Sequence, residues 1–135
     1  MTSTAELTAE QQEALIQAAL QARQAAYAPY SKYHVGAALL AASGEIFAGG
    51  NVENGSLGLT ICAERVAAGT AVTAGQRQFQ AMAIATADGA TPCGACRQFL
   101  AEFCDELSIL LVDIDQGNAV RQVQLSDLLP DRYGL

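Results

Sequence analysis

Three of the four cysteines in this chain have neighbours and spacings that could support metal or redox chemistry. Cys93 and Cys96 form a CxxC pair directly after Pro92, and Cys62 begins the stretch CAER farther upstream. Thiolates are zinc ligands, and a CxxC pair at the start of a helix also occurs in redox dithiols. A single cysteine is more often a small buried apolar side chain. Burial in the core would explain one cysteine, but it does not explain why three cysteines have these neighbours and spacings.

A zinc site with an open coordination position accounts for all three thiols. A closed site would need Cys104 as fourth ligand, and Cys104 lies eight residues beyond Cys96 on the same predicted helix. That spacing corresponds to a rise of about 12 Å, whereas a zinc–sulfur bond measures only about 2.3 Å. We therefore expect Cys104 to pack in the core beside Phe103 and the ion to have three protein ligands, as in catalytic zinc sites. The redox alternative stays open here but leaves Cys62 unexplained.

Charged residues beside these cysteines could complete a reaction centre. Glu64 follows Cys62 by two residues, so a helix that begins there would place the carboxylate and the metal on one cavity. An exposed glutamate in a first helical turn is the ordinary alternative. Three thiolates around a divalent ion carry a formal charge of about −1, which Arg65, Arg97 and two helix N-termini could offset. For Arg97 a surface ion pair is equally consistent with the sequence, and His34 is only a weak candidate ligand.

The elements that must position these residues follow from hydrophobic periodicity and turn residues. The stretch TAEQ fits a capping box, and apolar residues at helical spacing predict a first helix over 8–28. β-Branched and aliphatic residues on both sides of Gly44 predict an antiparallel hairpin that ends near Asn51. A second helix is predicted to begin close to Cys62 and to end at Gly75.

The second half of the chain continues the alternation of strands and helices. FQAMAIATA is a short apolar run typical of a buried strand, and PCGACRQFLAEF predicts a helix that starts at Cys93. LSILLVDID and AVRQVQL flank Gly117 and form a second candidate hairpin, and SDLLP predicts a short helical turn. This order indicates an α/β protein with a mixed sheet of about five strands covered by helices. No linker interrupts the pattern, so we expect residues 1–135 to form one domain.

Composition and charge exclude several classes of partner. The chain has 135 residues, 51% of them hydrophobic, which is enough for one packed core. Its net charge is −7 and its seven basic residues are scattered, so we expect no nucleic-acid partner. No uncharged apolar run reaches the roughly 20 residues of a membrane span. The start of the chain lacks the basic-then-apolar layout of a secretory signal, and we expect a cytoplasmic protein.

Four stretches of the sequence resemble one enzyme family. YSKYHVGAALL, GNVEN, GLTICAER and PCGACRQFLAEF are similar to segments of the small zinc-dependent cytidine deaminases of free-nucleoside salvage, over most of residues 27–104. Zinc deaminases combine a PCxxC motif with an upstream ligand and glutamate, and some use three cysteines. The resemblance implies a three-layer α/β/α fold and one Zn²⁺ per chain held by Cys62, Cys93 and Cys96. It also implies that Glu64 moves protons without binding the metal.

The resemblance further implies which residues contact a nucleoside. Asn51 and Glu53 correspond to residues that grip the ribose hydroxyls, and Tyr33 stands where the family commonly has a phenylalanine beside the base. Ala63 belongs to the same implied substrate site. Tyr133 lies near a C-terminal aromatic residue that reaches into a neighbouring subunit's site, so the resemblance implies a homotetramer.

One further role, two departures and a reaction complete what the resemblance implies. The resemblance assigns compensation of the thiolate charge chiefly to Arg65. The chain departs from the family at two positions, where His34 replaces a usual proline and Leu57 replaces a usual tyrosine. The implied reaction is hydrolytic deamination of cytidine and 2′-deoxycytidine to the uridines, since a nucleotide would need an arginine clamp that the sequence does not offer. A deaminase of a cytosine antibiotic such as blasticidin S and a noncatalytic zinc-stabilised module are the alternatives.

Overall fold

A computed structural model describes residues 6–135 of the chain. The start of the chain was compared above with the layout of a secretory signal. Its first residues, 1–5, lie outside the described residues. The elements of the described part occur in the order that the sequence predicts. They are α1 (Ala9–Gln24), β1 (Gly36–Ala41), β2 (Ile46–Gly50), α2 (Ala63–Thr73), β3 (Phe79–Thr86), α3 (Gly94–Ala101), β4 (Ser108–Asp113), β5 (Ala119–Gln124) and α4 (Leu125–Leu128).

The five strands form one mixed sheet in the order β2-β1-β3-β4-β5. β3 and β4 run parallel, with α3 between them in the sequence, and the other three neighbouring pairs are antiparallel. Both predicted hairpins are present. Gly44 turns the first with a φ of +95°, and Gly117 and Asn118 turn the second with φ values of +67° and +62°. The predicted α/β class and mixed five-stranded sheet are therefore confirmed.

The helices begin where the sequence predicts but two of them end earlier. Thr8 and Gln11 form the predicted capping box, with two side chain-to-backbone hydrogen bonds of 3.0 Å. α1 ends at Gln24 rather than near residue 28, because the next residues leave the helix and the Tyr27 amide donates to the Asn51 carbonyl at 2.8 Å.

The prediction that Cys104 lies on the same helix as Cys96 is wrong. α3 ends at Ala101, and Cys104 follows beyond it with its thiol donating to the Leu100 carbonyl at 3.1 Å. Cys104 nevertheless packs against the hydrophobic core beside Phe103, as expected for a cysteine without a role in chemistry.

Two apolar layers lie on opposite faces of the sheet. On one face α1 packs Leu15 and Ala19 against alternate side chains of the central strands, such as Ala38. On the other face the alanines of α2, with side chains from α3 and α4, pack against the remaining alternate positions, such as Leu39 and Ile84. Because strand side chains alternate between faces, both faces of the central strands are buried. The predicted three-layer α/β/α arrangement follows.

Glycines on the sheet let the helices approach the strand backbone closely. A Cβ atom at Gly36 would lie 2.0 Å from the Ala19 carbonyl oxygen of α1. A Cβ atom at Gly49 would lie 2.6 Å from the Val66 side chain of α2, and one at Gly50 would meet the backbone after α1 at 2.9 Å. The positions of α1 and α2 on the sheet therefore depend on these small residues.

No helix in the part of the chain from residue 6 onward has the length and apolar character needed to cross a membrane.

The substitution Gly36→Ala tests this close approach. Its methyl group would overlap backbone atoms of α1, which cannot move as a flexible side chain would, so we expect the free energy of unfolding to fall by about 1–3 kcal/mol. Gly69→Ala is the matched control, since Gly69 lies inside α2 with nothing within 4 Å of its Cβ position, and we expect a gain of about 0.5–1 kcal/mol. Denaturant unfolding measures both, and equal effects would contradict the packing argument.

Candidate active site

The candidate site lies at one edge of the sheet, where three strands end or begin together. Gly36 at the start of β1 pairs with Gly50 at the end of β2 and with Ala85 near the end of β3. The residues before β1 and those after β2 and β3 therefore meet at this edge. This register places Tyr33, Asn51 and Thr86 around one cavity, although they are far apart in sequence.

Backbone pairing beyond β2 brings Cys62 to the same edge. The amides of Val52 and Ile61 each donate to the other's carbonyl at 2.9 Å, so the intervening loop closes on itself. Tyr27 binds the other side of this segment through its amide and carbonyl groups. The returning chain then begins α2 with Cys62 at the N-cap position.

The three predicted ligand sulfurs form one cluster. Cys93 is the N-cap residue of α3 and Cys96 lies buried in its first turn. The sulfurs of Cys62, Cys93 and Cys96 all lie within 4.8 Å of one another, and those of Cys62 and Cys93 are 3.8 Å apart. Tetrahedral zinc with bonds of about 2.3 Å sets its sulfur ligands about 3.8 Å apart. The donor set therefore fits zinc, whereas a dithiol formed by the CxxC pair would give Cys62 no role.

Two helix N-termini and one arginine make this cluster favourable for thiolates. Cys62 and Cys93 begin α2 and α3, where the helix dipole stabilises negative charge. Arg65 donates to the Cys62 sulfur at 3.4 Å. Hydrogen bonds from Cys96 and then from Arg65 lower the pKa of the Cys62 thiol to about 5, and the bond to Cys62 together with burial raises the pKa of Cys96.

Arg97 binds backbone carbonyls and a threonine hydroxyl in the part of the chain that the structure describes. Its guanidinium donates to the Pro92 carbonyl at 2.7 Å, to the Thr91 hydroxyl at 3.0 Å and to the Leu128 carbonyl at 2.9 Å. Within residues 6–135, these bonds take up the Arg97 guanidinium, and none of them is to a thiol or to a carboxylate. It supports the backbone that enters the CxxC motif and ties that backbone to α4.

Glu64 is buried, whereas a glutamate in the first turn of a helix is usually exposed. Its side chain is 5% exposed and lies at the second position of α2. Burial is the largest cause that raises the pKa of Glu64, with a smaller contribution from Cys62, and the result is about 7. A carboxyl group with a pKa near neutrality can both accept and release a proton under physiological conditions.

A cavity of about 190 Å³ joins Glu64 to the thiol cluster. A cavity of this size can take up a small molecule or one small group of a larger molecule. It is lined by Tyr33, Val35, Asn51, Thr60, Cys62, Ala63, Glu64, Ile84, Thr86, Ala90, Thr91 and Cys93. Six of the residues named from the sequence thus meet at one cavity, and Cys96 and Arg65 adjoin it through the sulfur cluster.

Asn51 and Glu53 are both engaged with the loop that precedes β1. The Asn51 side chain accepts from the Val35 amide and donates to the Tyr33 carbonyl, each at 2.9 Å. One Glu53 oxygen accepts from the Tyr30 amide at 2.9 Å, and the other accepts from the Ser31 hydroxyl. This bond to Ser31 is the main cause that lowers the pKa of Glu53.

The other residues named from the sequence lie away from this cavity. Tyr133 is 70% exposed, and its carbonyl accepts from Gln98 at 3.1 Å. Leu57 begins a short 3-10 turn and is 77% exposed. His34 is half-buried, with its Nδ1 atom 3.1 Å from the Lys32 carbonyl, and it is not part of the thiol group.

The sequence interpretation missed Thr86, which ends β3 and lines the cavity, and Asp88, which lies just after β3. Thr86 is 3% exposed, its hydroxyl accepts from the Ala90 amide at 3.1 Å, and the Tyr33 hydroxyl donates to Asp88 at 2.6 Å. One available signal was that Thr86 is polar at the end of an otherwise apolar predicted strand. Nothing local indicated that Asp88 would face Tyr33, because that contact depends on the pairing of β1 with β3.

Known proteins resemble this chain over most of its length. A family model described as the cytidine and deoxycytidylate deaminase zinc-binding region matches residues 9–111. A cytidine deaminase of Halalkalibacterium halodurans is 44% identical over 88% of this chain and 91% of its own length. The crystal structure of a cytidine deaminase from Burkholderia pseudomallei superposes with a TM-score of 0.85 and 45% identity, over 94% of this chain and all of that one.

A blasticidin-S deaminase of Bacillus cereus is more distant, at 27% identity over 76% of this chain and 79% of its own. The agreement in sequence, in the three-layer fold and in a thiol cluster suited to zinc leads to one conclusion. This chain belongs to the zinc-dependent cytidine deaminase family of hydrolytic enzymes.

Proposed function

We propose that this protein deaminates cytidine and 2′-deoxycytidine to uridine and 2′-deoxyuridine and acts in pyrimidine salvage. The observation that carries the proposal is the burial of Glu64 on the same small cavity as the thiols of Cys62 and Cys93. A noncatalytic zinc module would need neither the cavity nor a buried carboxyl group beside the metal site. The family membership gives the reaction class, and the cavity supports a single nucleoside as substrate.

Glu64 is proposed to carry the protons of the reaction. Cys62, Cys93 and Cys96 would hold a zinc ion, which would supply an acidified water as the nucleophile toward C4 of cytosine. The Glu64 carboxylate takes a proton from that water and delivers it to N3, so the ring can accept the nucleophile. It then transfers the second water proton to the departing amine, which leaves as ammonia. A pKa near neutrality suits both directions of transfer.

Arg65 and the two helix N-termini are proposed to keep the thiolate cluster from becoming too electron-rich. Hydrogen bonds to the sulfurs of Cys62 and Cys96 raise the pKa of Arg65, so it remains a cation there. A donor to a thiolate withdraws negative charge from the metal that the thiolate binds. Arg65 therefore acts through the sulfurs rather than on the substrate.

The cavity supports recognition of the base by Tyr33 and Ala63. Tyr33 lines the cavity, and Ala63 occupies the first position of α2. Backbone N–H groups at the start of a helix have no partner within the helix, so the Ala63 amide is available to a ligand.

Ribose recognition is proposed for the residues that hold the loop before β1. Asn51 keeps one amide hydrogen and one oxygen lone pair beyond its two loop contacts. Glu53 does not line the cavity within the described part of the chain, but its hydrogen bonds keep it ionised and leave lone pairs for a hydroxyl group.

A homotetramer is proposed on the basis of the family and of exposed apolar residues. Leu57, Leu59 and Ile61 lie in the segment between β2 and α2, and each remains more than one third exposed in the single chain. Tyr133 is proposed to enter the site of a neighbouring subunit. We further propose that residues 1–135 act as one domain in the cytoplasm, without nucleic-acid or membrane partners.

Replacing Glu64 by glutamine tests the proton relay. Glu64→Gln keeps the side chain's size but cannot exchange protons, so we expect kcat for cytidine to fall at least about 100-fold while one zinc per chain is retained. Glu102→Gln, at an exposed position after α3, is the control and should keep full activity. An ultraviolet assay and metal analysis give the two readouts. Near-normal turnover by Glu64→Gln would contradict the mechanism.

Cysteine substitutions test the metal ligands. Cys96→Ser should lose bound zinc and cytidine turnover, because the buried Cys96 sulfur belongs to the three-thiol cluster. Cys104→Ser should keep one zinc per chain, because Cys104 packs beyond the end of α3. Chelation of the unmodified protein should abolish turnover, and added zinc should restore it. Turnover by a metal-free protein, or zinc loss in both variants alike, would exclude this ligand set.

Competing substrates test the proposed specificity. We expect cytidine and 2′-deoxycytidine to be turned over far more efficiently than blasticidin S or a cytosine-containing oligonucleotide. The chain's net charge of −7 disfavours a polyanionic strand. Comparison of kcat/KM for the four compounds shows which one is the preferred substrate. A higher kcat/KM for blasticidin S than for cytidine would contradict the proposed specificity.

A further inference from the structure

A hydrogen bond joins two loops that both contribute residues to the cavity. The Tyr33 hydroxyl donates to Asp88 Oδ1 at 2.6 Å. Tyr33 lies on the loop before β1, and Asp88 lies just after β3, on the loop that leads to the CxxC motif. The distance is short, as expected when the acceptor is a carboxylate. This bond therefore connects the loop that carries Tyr33 to the loop that leads to the CxxC motif.

Both partners of this bond are fixed by other contacts. The Tyr33 carbonyl accepts from Asn51 at 2.9 Å, so the backbone of the ring is held at one end and its hydroxyl at the other. Thr86 donates to the same Asp88 oxygen at 3.3 Å and accepts from the Ala90 amide at 3.1 Å. A connected set of hydrogen bonds thus runs from Tyr33 to Ala90, which lines the cavity close to Cys93.

The outer side of the same loop is held against β4. Gly89 has a φ of +68°, and its Cβ position lies 3.0 Å from the Asp113 side chain. The Asp115 amide donates to the Ala87 carbonyl at 3.1 Å. The hydrogen bond from Asp115 ties this turn to the residues after β4, and the bond between Tyr33 and Asp88 ties it to the loop before β1.

We propose that Asp88 is a positioning residue that sets nucleoside affinity by holding the Tyr33 ring and the loop of residues 87–91 at a fixed spacing. This rests on the proposed function, since the affinity concerned is that for cytidine. A phenylalanine at position 33 could form a wall but could not make this bond. The fixed spacing therefore depends on the tyrosine hydroxyl. Asp88 acts through Tyr33 and is not proposed to contact a reacting atom.

A double-mutant cycle on the zinc-loaded protein tests the proposal. The variants are Tyr33→Phe, Asp88→Ala and the pair together, with Asp88→Asn as the conservative change that keeps an acceptor. We expect each single change to raise KM for cytidine by roughly threefold to tenfold, with kcat within about twofold of its original value. In the Tyr33→Phe background, Asp88→Ala should change KM by less than about twofold, because its partner is already absent. Asp88→Asn should recover part of the loss.

Amide hydrogen exchange of residues 87–91 provides a second readout that needs no turnover. Tyr33→Phe and Asp88→Ala should each speed exchange at Ala90, and the double variant should show little further change. Unchanged exchange, or effects of the two substitutions that simply add, would overturn the proposal. So would faster exchange with unchanged KM in an active enzyme. If the unmodified protein does not deaminate cytidine, the proposed function fails, and the exchange cycle alone decides whether Asp88 holds the loop.

Discussion

The close approach of three sulfurs is the constraint on which the rest of this structure depends. Three sulfurs that all lie within 4.8 Å of one another cannot all be thiolates without a cation to offset their repulsion. Cys62 and Cys93 must therefore begin two different helices whose N-termini meet. α2 and α3 pack on the same face of the sheet, and the close contact of α2 with Gly49 sets one of the two starting points. The packing of the alanine-rich helix α2 against Gly49 of β2 thus determines where Cys62 lies.

The sequence predicted the metal site well because its signals are short and local. The PCxxC motif and the CAE stretch place their cysteines at helix starts, where backbone N–H groups and the helix dipole favour thiolates. Both hairpins followed from turn residues such as Gly44 and Gly117, whose positive φ values the structure contains. These features depend on a few neighbouring residues, so no knowledge of the tertiary fold was needed to predict them.

The errors concern residues whose partners are distant in sequence. The end of α1 is set by the bond of Tyr27 to Asn51, and the guanidinium of Arg97 is taken up by three groups, one of them in α4. Periodicity cannot report such contacts, because they arise only after the strands have paired. The same holds for Asp88, which meets Tyr33 across a spacing of 55 residues. Helix ends and polar side chains on loops were therefore less predictable than helix starts and strands.

The polar side chains on these loops perform a task that the core cannot. The core is rich in alanine, which packs closely but leaves little shape to fix the loops at the sheet edge. Asn51, Glu53, Arg97 and Asp88 each bind backbone or side-chain groups of a loop beside the cavity. A shift of about 1 Å between reacting groups can cost about 100-fold in rate. The precision of the site must therefore come from these bonds, because they hold the loops that surround Glu64.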